Sequence, residues 1–139
     1  MILLSILMAF AFANFEGHWL GDGTMQTETE TFPCDFEFKV AQTGDVIDVL
    51  VQRIGFDGFV FTWNPYGANI VNGELFNTRT GIYAGTITEE QLRVNYVSSP
   101  DSAPYIINVD KITEASADFE MILEGTNGKK FLRAIMYKQ

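Results

Sequence analysis

"FEGHWLGDG", residues 15–23, decides the fold. Its aromatic residues and glycines recur at every second position. Phe15, Gly17, Trp19, Gly21 and Gly23 fall on one side of an extended chain, and His18, Leu20 and Asp22 fall on the other. A period of two marks a β-strand. The face that carries Trp19 is otherwise almost bare backbone, so a neighbouring element has to come close and fill it. A barrel interior, with Trp19 closing one end, meets that need.

The same period continues outward from this strand. "CDFEFKVAQ" (34–42) alternates Cys34, Phe36, Phe38 and Val40 with Asp35, Glu37 and Lys39. "VIDVLVQRI" (46–54) is apolar on both faces, which leaves its phase open. "FVFTWN" (59–64) sets Phe59, Phe61 and Trp63 on one side. "IVNGELFN" (70–77) reads as a strand or a short hairpin on Asn72-Gly73. "IYAGTIT" and "LRVNYV" flank a turn at 89–91, and "YIINVDKI", "DFEMILE" and "KKFLRAIMYK" complete the chain. Turn residues cut these runs every 8 to 12 positions or so, and Pro33 is read as an interruption. The expectation is a single all-β domain over 14–139, an antiparallel up-and-down meander of eight to ten strands. Short links favour neighbouring strands, and closure into a barrel removes the exposed edges.

Composition narrows the function. The chain of 139 residues is 47% hydrophobic and 14% aromatic, with a net charge of −9. Such a surface repels phosphates, so nucleic acid and anionic membranes are poor partners. The first thirteen residues, "MILLSILMAFAFA", are uncharged and nearly all apolar. They are too short to span a bilayer. They read as the apolar region of a secretory signal, with Ala11-Phe12-Ala13 as the cleavage pattern and Asn14 as the first mature residue. No Lys or Arg precedes the run. The expected location is therefore secreted or periplasmic, with no membrane span in the mature chain. Cys34 is the single cysteine, so the chain closes no internal disulfide, and a buried thiol is the expected state.

Phe15-Glu16-Gly17-His18-Trp19 resembles the F-x-G-x-W opening of the calycin barrels: lipocalins, fatty-acid-binding proteins and their relatives. In that group the Trp closes one end of the barrel, and a basic residue of the last strand crosses its ring. The resemblance implies a contact between Trp19 and Arg133 of "FLRAIMYK". A guanidinium over an indole gains about 0.5–2 kcal/mol on physical grounds alone. The chain departs from the families it resembles in lacking a helix pair after the first strand, a second lipocalin motif and a C-terminal helix. "GHWLGDG" is also similar to the start of haem-binding nitrobindin-type barrels. Those ligate haem through a His near the C-terminal end, whereas this chain has only His18, so haem does not carry over.

No catalytic set and no metal-ligand spacing assembles from one His and one Cys, and no cofactor is expected. Glu28 with Glu30, and Asp35 with Glu37, read as solvated outer faces. Two uses of the barrel remain. One is a carrier that holds a small apolar molecule against Phe36, Phe38, Phe59, Phe61 and Trp63, in a cavity of about 300 Å³ or more. The alternative is a protein-binding or inhibitor module with a filled core and exposed loop aromatics such as Tyr66 or Tyr105.

Overall fold

A computed structural model describes residues 14–96, 105–125 and 128–139. The segment read as a signal, 1–13, and the polar loop at 98–104 lie outside the described residues. Eleven strands follow one another: β1 (Gly17–Gln26), β2 (Thr31–Thr43), β3 (Val46–Phe56), β4 (Phe59–Thr62), β5 (Tyr66–Val71), β6 (Glu74–Asn77), β7 (Tyr83–Ile87), β8 (Gln91–Tyr96), β9 (Tyr105–Thr113), β10 (Ser116–Gly125) and β11 (Gly128–Lys138). Among the described residues there is no helix.

Every pairing is antiparallel, and β11 returns to pair with β1, with Trp19 opposite Lys138 and Met25 opposite Leu132. The meander thus closes, with ten strands in the ring. The eleventh, β4, stands outside it. β3 is long enough to serve two neighbours: its first part, Val46 to Val49, pairs with β5, and its last part, Arg53 to Phe56, pairs with β4. Two tight turns have the residues they require. Asp57-Gly58 and Asn72-Gly73 both have positive φ at the two central positions, the signature of hairpin turns whose twist matches the strands. Asn72-Gly73 accordingly separates β5 from β6.

Pro33 does not interrupt. β2 runs from Thr31 through it, with Pro33 opposite Thr24 of β1. Pairing with β3 begins only at Cys34, so on that side Pro33 lies beyond the ladder and its missing N–H breaks nothing there. The open phase of β3 also resolves. The register with β2 shifts between Lys39 and Val40, which leaves Leu50 without an opposite residue and exposed. Ile47 and Val49 face inward before this bulge, and Gln52, Ile54 and Phe56 after it.

The glycines of β1 answer the question posed by its bare face. A Cβ on Gly23 would fall on the Arg133 carbonyl oxygen and within 2.7 Å of Ala134 Cα. One on Gly21 would lie 2.6 Å from the Met136 sulfur. The backbone of β11 and the side chain of Met136 occupy the space that side chains on β1 would need. That close approach is what lets the last strand seat against the first and close the barrel. The core follows from it: Phe36, Ile54, Met121 and Leu132 are almost fully buried, together with Phe119, Ala117 and Ile107. A second cluster of Phe15, Ile47, Ala68, Leu75 and Ile87 continues the same interior through Val40, Val94 and Val109.

Candidate functional site

Trp19 forms part of the floor of the interior. Its indole nitrogen donates to the Phe15 carbonyl at 2.9 Å, which draws the segment before β1 across the barrel. Phe15 is itself buried, and its backbone nitrogen donates to Gln42 Oε1 at 3.1 Å. Two ammonium groups lie against these rings, Lys138 Nζ at 5.2 Å from the Trp19 centroid and Lys111 Nζ at 5.1 Å from that of Phe15.

The expected contact between Arg133 and Trp19 does not form. The first and last strands do pair, but inward residues of β11 are Leu132, Ala134, Met136 and Lys138, and Arg133 has the opposite parity. Its guanidinium points outward and donates to Asp118 at 3.2 Å. The cation over the indole is Lys138. "FLRAIMYK" alternates apolar residues on both of its faces, so the parity of its charged residues was not legible.

Above the floor lie two small voids of about 70 and 40 Å³. Phe15, Trp19, Phe38, Ile107, Phe119 and Met136 line the first, and Ile47, Ala68, Leu75, Asn77 and Tyr96 line the second. Val49, Tyr66, Leu92 and Val94 line both, so these four side chains form the partition. The lining is almost wholly apolar. The combined space is well below the 300 Å³ expected of a preformed carrier cavity. It is also smaller than the roughly 150 Å³ that accepts a benzene molecule in an engineered protein core.

Against this apolar space stands a polar cluster. Gln52 is buried on β3, and its Oε1 accepts the Tyr66 hydroxyl at 2.6 Å. The rings of Tyr66, Tyr96 and Tyr105 run in series, with centroids 5.2 and 4.9 Å apart, and Trp63 packs edge-on to Tyr105 at 6.4 Å. The Tyr105 hydroxyl faces that of Tyr66 without closing a well-formed hydrogen bond, and Gln52 Nε2 also has no partner. Each such group costs about 1–3 kcal/mol when stripped of water. Burial, reinforced by the neighbouring phenols, pushes the ionisation of Tyr66 and Tyr105 far above the ordinary tyrosine range.

The expected lining residues divide. Phe36 and Phe38 face the interior, with Phe119 between them at 5.5 and 4.8 Å, and Phe38 borders the larger void. Trp63 is half-buried beside Tyr105. Phe59 and Phe61 do not line the interior: they lie on β4, outside the ring, 62% and 48% exposed, and pack on Phe56 at 6.2 and 5.3 Å. Tyr66 and Tyr105, which the protein-binding alternative would expose on loops, open β5 and β9 and belong to the interior. The alternation of Tyr105 with Ile107 and Val109 carried that information. Gln52 had no comparable signal, because the bulge that turns it inward comes from pairing with β2.

No family model matches the chain, and no curated protein resembles it in sequence. Solved structures that share its shape include two barrels. The S-type phycobiliprotein lyase CPES from Guillardia theta superposes with a TM-score of 0.67 at 9% identity, over 90% of this chain and 88% of that one. EF1p2_mFAP2b, solved bound to DFHBI, superposes with a TM-score of 0.53 at 10% identity, over 95% of this chain and 96% of that one. At these identities the likeness shows the closed antiparallel β-barrel fold alone.

The one histidine and the one cysteine lie in different settings. His18 Nε2 lies 2.6 Å from Glu37 Oε2 on the outer side of β1 and β2. Cys34 is buried, and desolvation, with Asp35 beside it, pushes its thiol above its ordinary value, which disfavours the nucleophilic thiolate. Among the described residues no three His, Cys, Asp or Glu side chains gather as metal ligands.

Proposed function

We propose that this barrel binds a small, largely apolar molecule in its interior and catalyses no reaction on it. The observation that carries this reading is the pair of adjoining apolar voids, separated by a partition of four side chains and bordered by a buried, incompletely satisfied polar cluster. Tyr66 belongs to both the partition and the cluster. On this reading the ligand displaces Tyr66 from the partition and makes its own room on entry. That one barrel of this shape was solved bound to DFHBI, and another is a phycobiliprotein lyase, is in keeping with interior binding. Export through cleavage after Ala13, giving a secreted or periplasmic carrier of lipocalin type, is part of the same proposal and draws on the apolar run at 1–13.

The test is the intrinsic emission of Trp19 and Trp63 during titration with naphthalene and with decanoic acid. Saturable change with at least one of them is the expected result. No saturable response to either overturns the reading. A second reading then takes its place, favoured by one observation: Phe59, Val60 and Phe61 are exposed in succession on β4, a strand paired on one side only. In that case the barrel is a protein-binding module that presents this hairpin to its partner.

A further inference from the structure

Gln52 and Tyr105 are 2% and 7% exposed, and each keeps a hydrogen-bonding group without a partner. Native interiors retain few such groups, and each one asks for an explanation. These two are joined through Tyr66, whose hydroxyl donates to Gln52 Oε1 and faces the Tyr105 hydroxyl. The unused capacity is of one kind. Gln52 Nε2 offers two N–H donors, and the Tyr105 hydroxyl offers one O–H. What both groups lack is an acceptor. It would lie next to Tyr66 and Tyr96, which border the apolar voids.

We infer that Gln52 and Tyr105 form the polar end of the interior site, and that its ligand carries a carbonyl-type oxygen at the end of an apolar body. The inference rests on the interior-binding reading and specifies its ligand class. Among the described cations Lys130 is nearest in register, since it pairs with Leu123, which pairs with Tyr105, and it has the inward parity of Leu132; the others lie elsewhere. Lys111 lies six residues from Tyr105 along β9, about 20 Å at strand spacing, with its ammonium over Phe15. Lys138 lies over Trp19, next to Tyr137, which pairs with Ser116 beside the same β9–β10 turn. Arg53, Arg93 and Arg133 are engaged with Asp35, Asp110 and Asp118.

Three probes of similar size separate the outcomes when titrated calorimetrically into the full chain: acetophenone, with an acceptor; cumene, of nearly the same shape and with none; and aniline, with a donor. Acetophenone is expected to bind at least tenfold more tightly than cumene. Tyr105→Phe should narrow that ratio severalfold while leaving cumene affinity unchanged, and Gln52→Met should narrow it further. Tyr105→Phe removes a hydroxyl that has no partner, so the free variant should melt no lower than the parent, and it keeps the test open if Gln52→Met folds poorly. Equal binding of acetophenone and cumene, a ratio untouched by Tyr105→Phe, or a preference for aniline would each overturn the inference and leave interior binding standing. Failure of all three probes to bind would remove both.

Discussion

Among the described residues there are two Phe-x-Phe pairs, and they meet opposite fates. Phe36 and Phe38 on β2 are 1% and 8% exposed and form the centre of the core with Phe119. Phe59 and Phe61 on β4 are largely exposed and touch the body of the protein through Phe56. The residues around them account for the difference. Phe36 and Phe38 alternate with Asp35, Glu37 and Lys39, so turning the strand over would bury three charges, and the register is strongly specified. Phe59 and Phe61 bracket Val60, and neither face of that strand has a claim on solvent. Position in the ring then decides. β2 has a strand on each side, whereas β4 pairs only with the end of β3 and never reaches the barrel wall. Hydrophobic pattern alone selects an inner face only where the other face is polar and the strand has two neighbours.

The largest effect should separate these pairs directly. Phe36→Ala is expected to cost about 3–5 kcal/mol in denaturant unfolding, the range for deletion of a core aromatic. Phe59→Ala should change stability by less than about 0.5 kcal/mol, as exposed substitutions usually do. Equal costs would mean that β4 is as much a part of the core as β2, and the comparison would fail.

A smaller effect tests how the interior closes. Gly23→Ala places a methyl group on the Arg133 backbone carbonyl, and it should cost about 1–3 kcal/mol through a forced shift of β11. Gly58→Ala meets no atom within 4 Å but must keep a positive φ, so it should cost about 1 kcal/mol, from backbone strain in the β3–β4 turn. If Gly23→Ala proved the milder of the two, close approach of β11 would not be what the β1 glycines provide.

Alkaline titration sharpens the contrast between buried and exposed rings. Tyr66 and Tyr105 have ionisation shifted upward by burial. Their stabilising contribution is complete below the ordinary tyrosine value of about 10 and declines as pH rises above it, because the unfolded chain releases those protons first. Tyrosinate absorbance of the folded protein near pH 11 should fall short of the five tyrosines the chain contains, and should reach five on addition of denaturant. Full ionisation of the folded state at that pH would show that the cluster is open to water.

The smallest effect concerns the cation at Trp19. Lys138→Ala should cost about 0.5–1 kcal/mol through loss of the contact with the indole. Arg133→Ala breaks a solvent-exposed ion pair and should cost less than about 0.5 kcal/mol. A reversed order, measured by thermal unfolding, would restore Arg133 to the role first expected of it.

The sequence by itself determined the all-β class, the antiparallel order, a candidate turn at Asn72-Gly73, the inward face of β1 and the burial of Phe36 and Phe38. Each rests on local chemistry: a period of two, residues that tolerate positive φ, or a charged face opposite an apolar one. The tertiary structure alone decided which cation covers Trp19, whether Phe59 and Phe61 lie inside, and that Gln52 joins Tyr66 and Tyr105 in the interior. Those outcomes depend on register between strands distant in sequence. A one-residue bulge opposite Val40 reverses every side chain that follows on β3, and a strand that is apolar on both faces gives no local reason to prefer either parity. Closure of β11 on β1 and the bulge between β2 and β3 supplied that reason, and with it the polar end of the site.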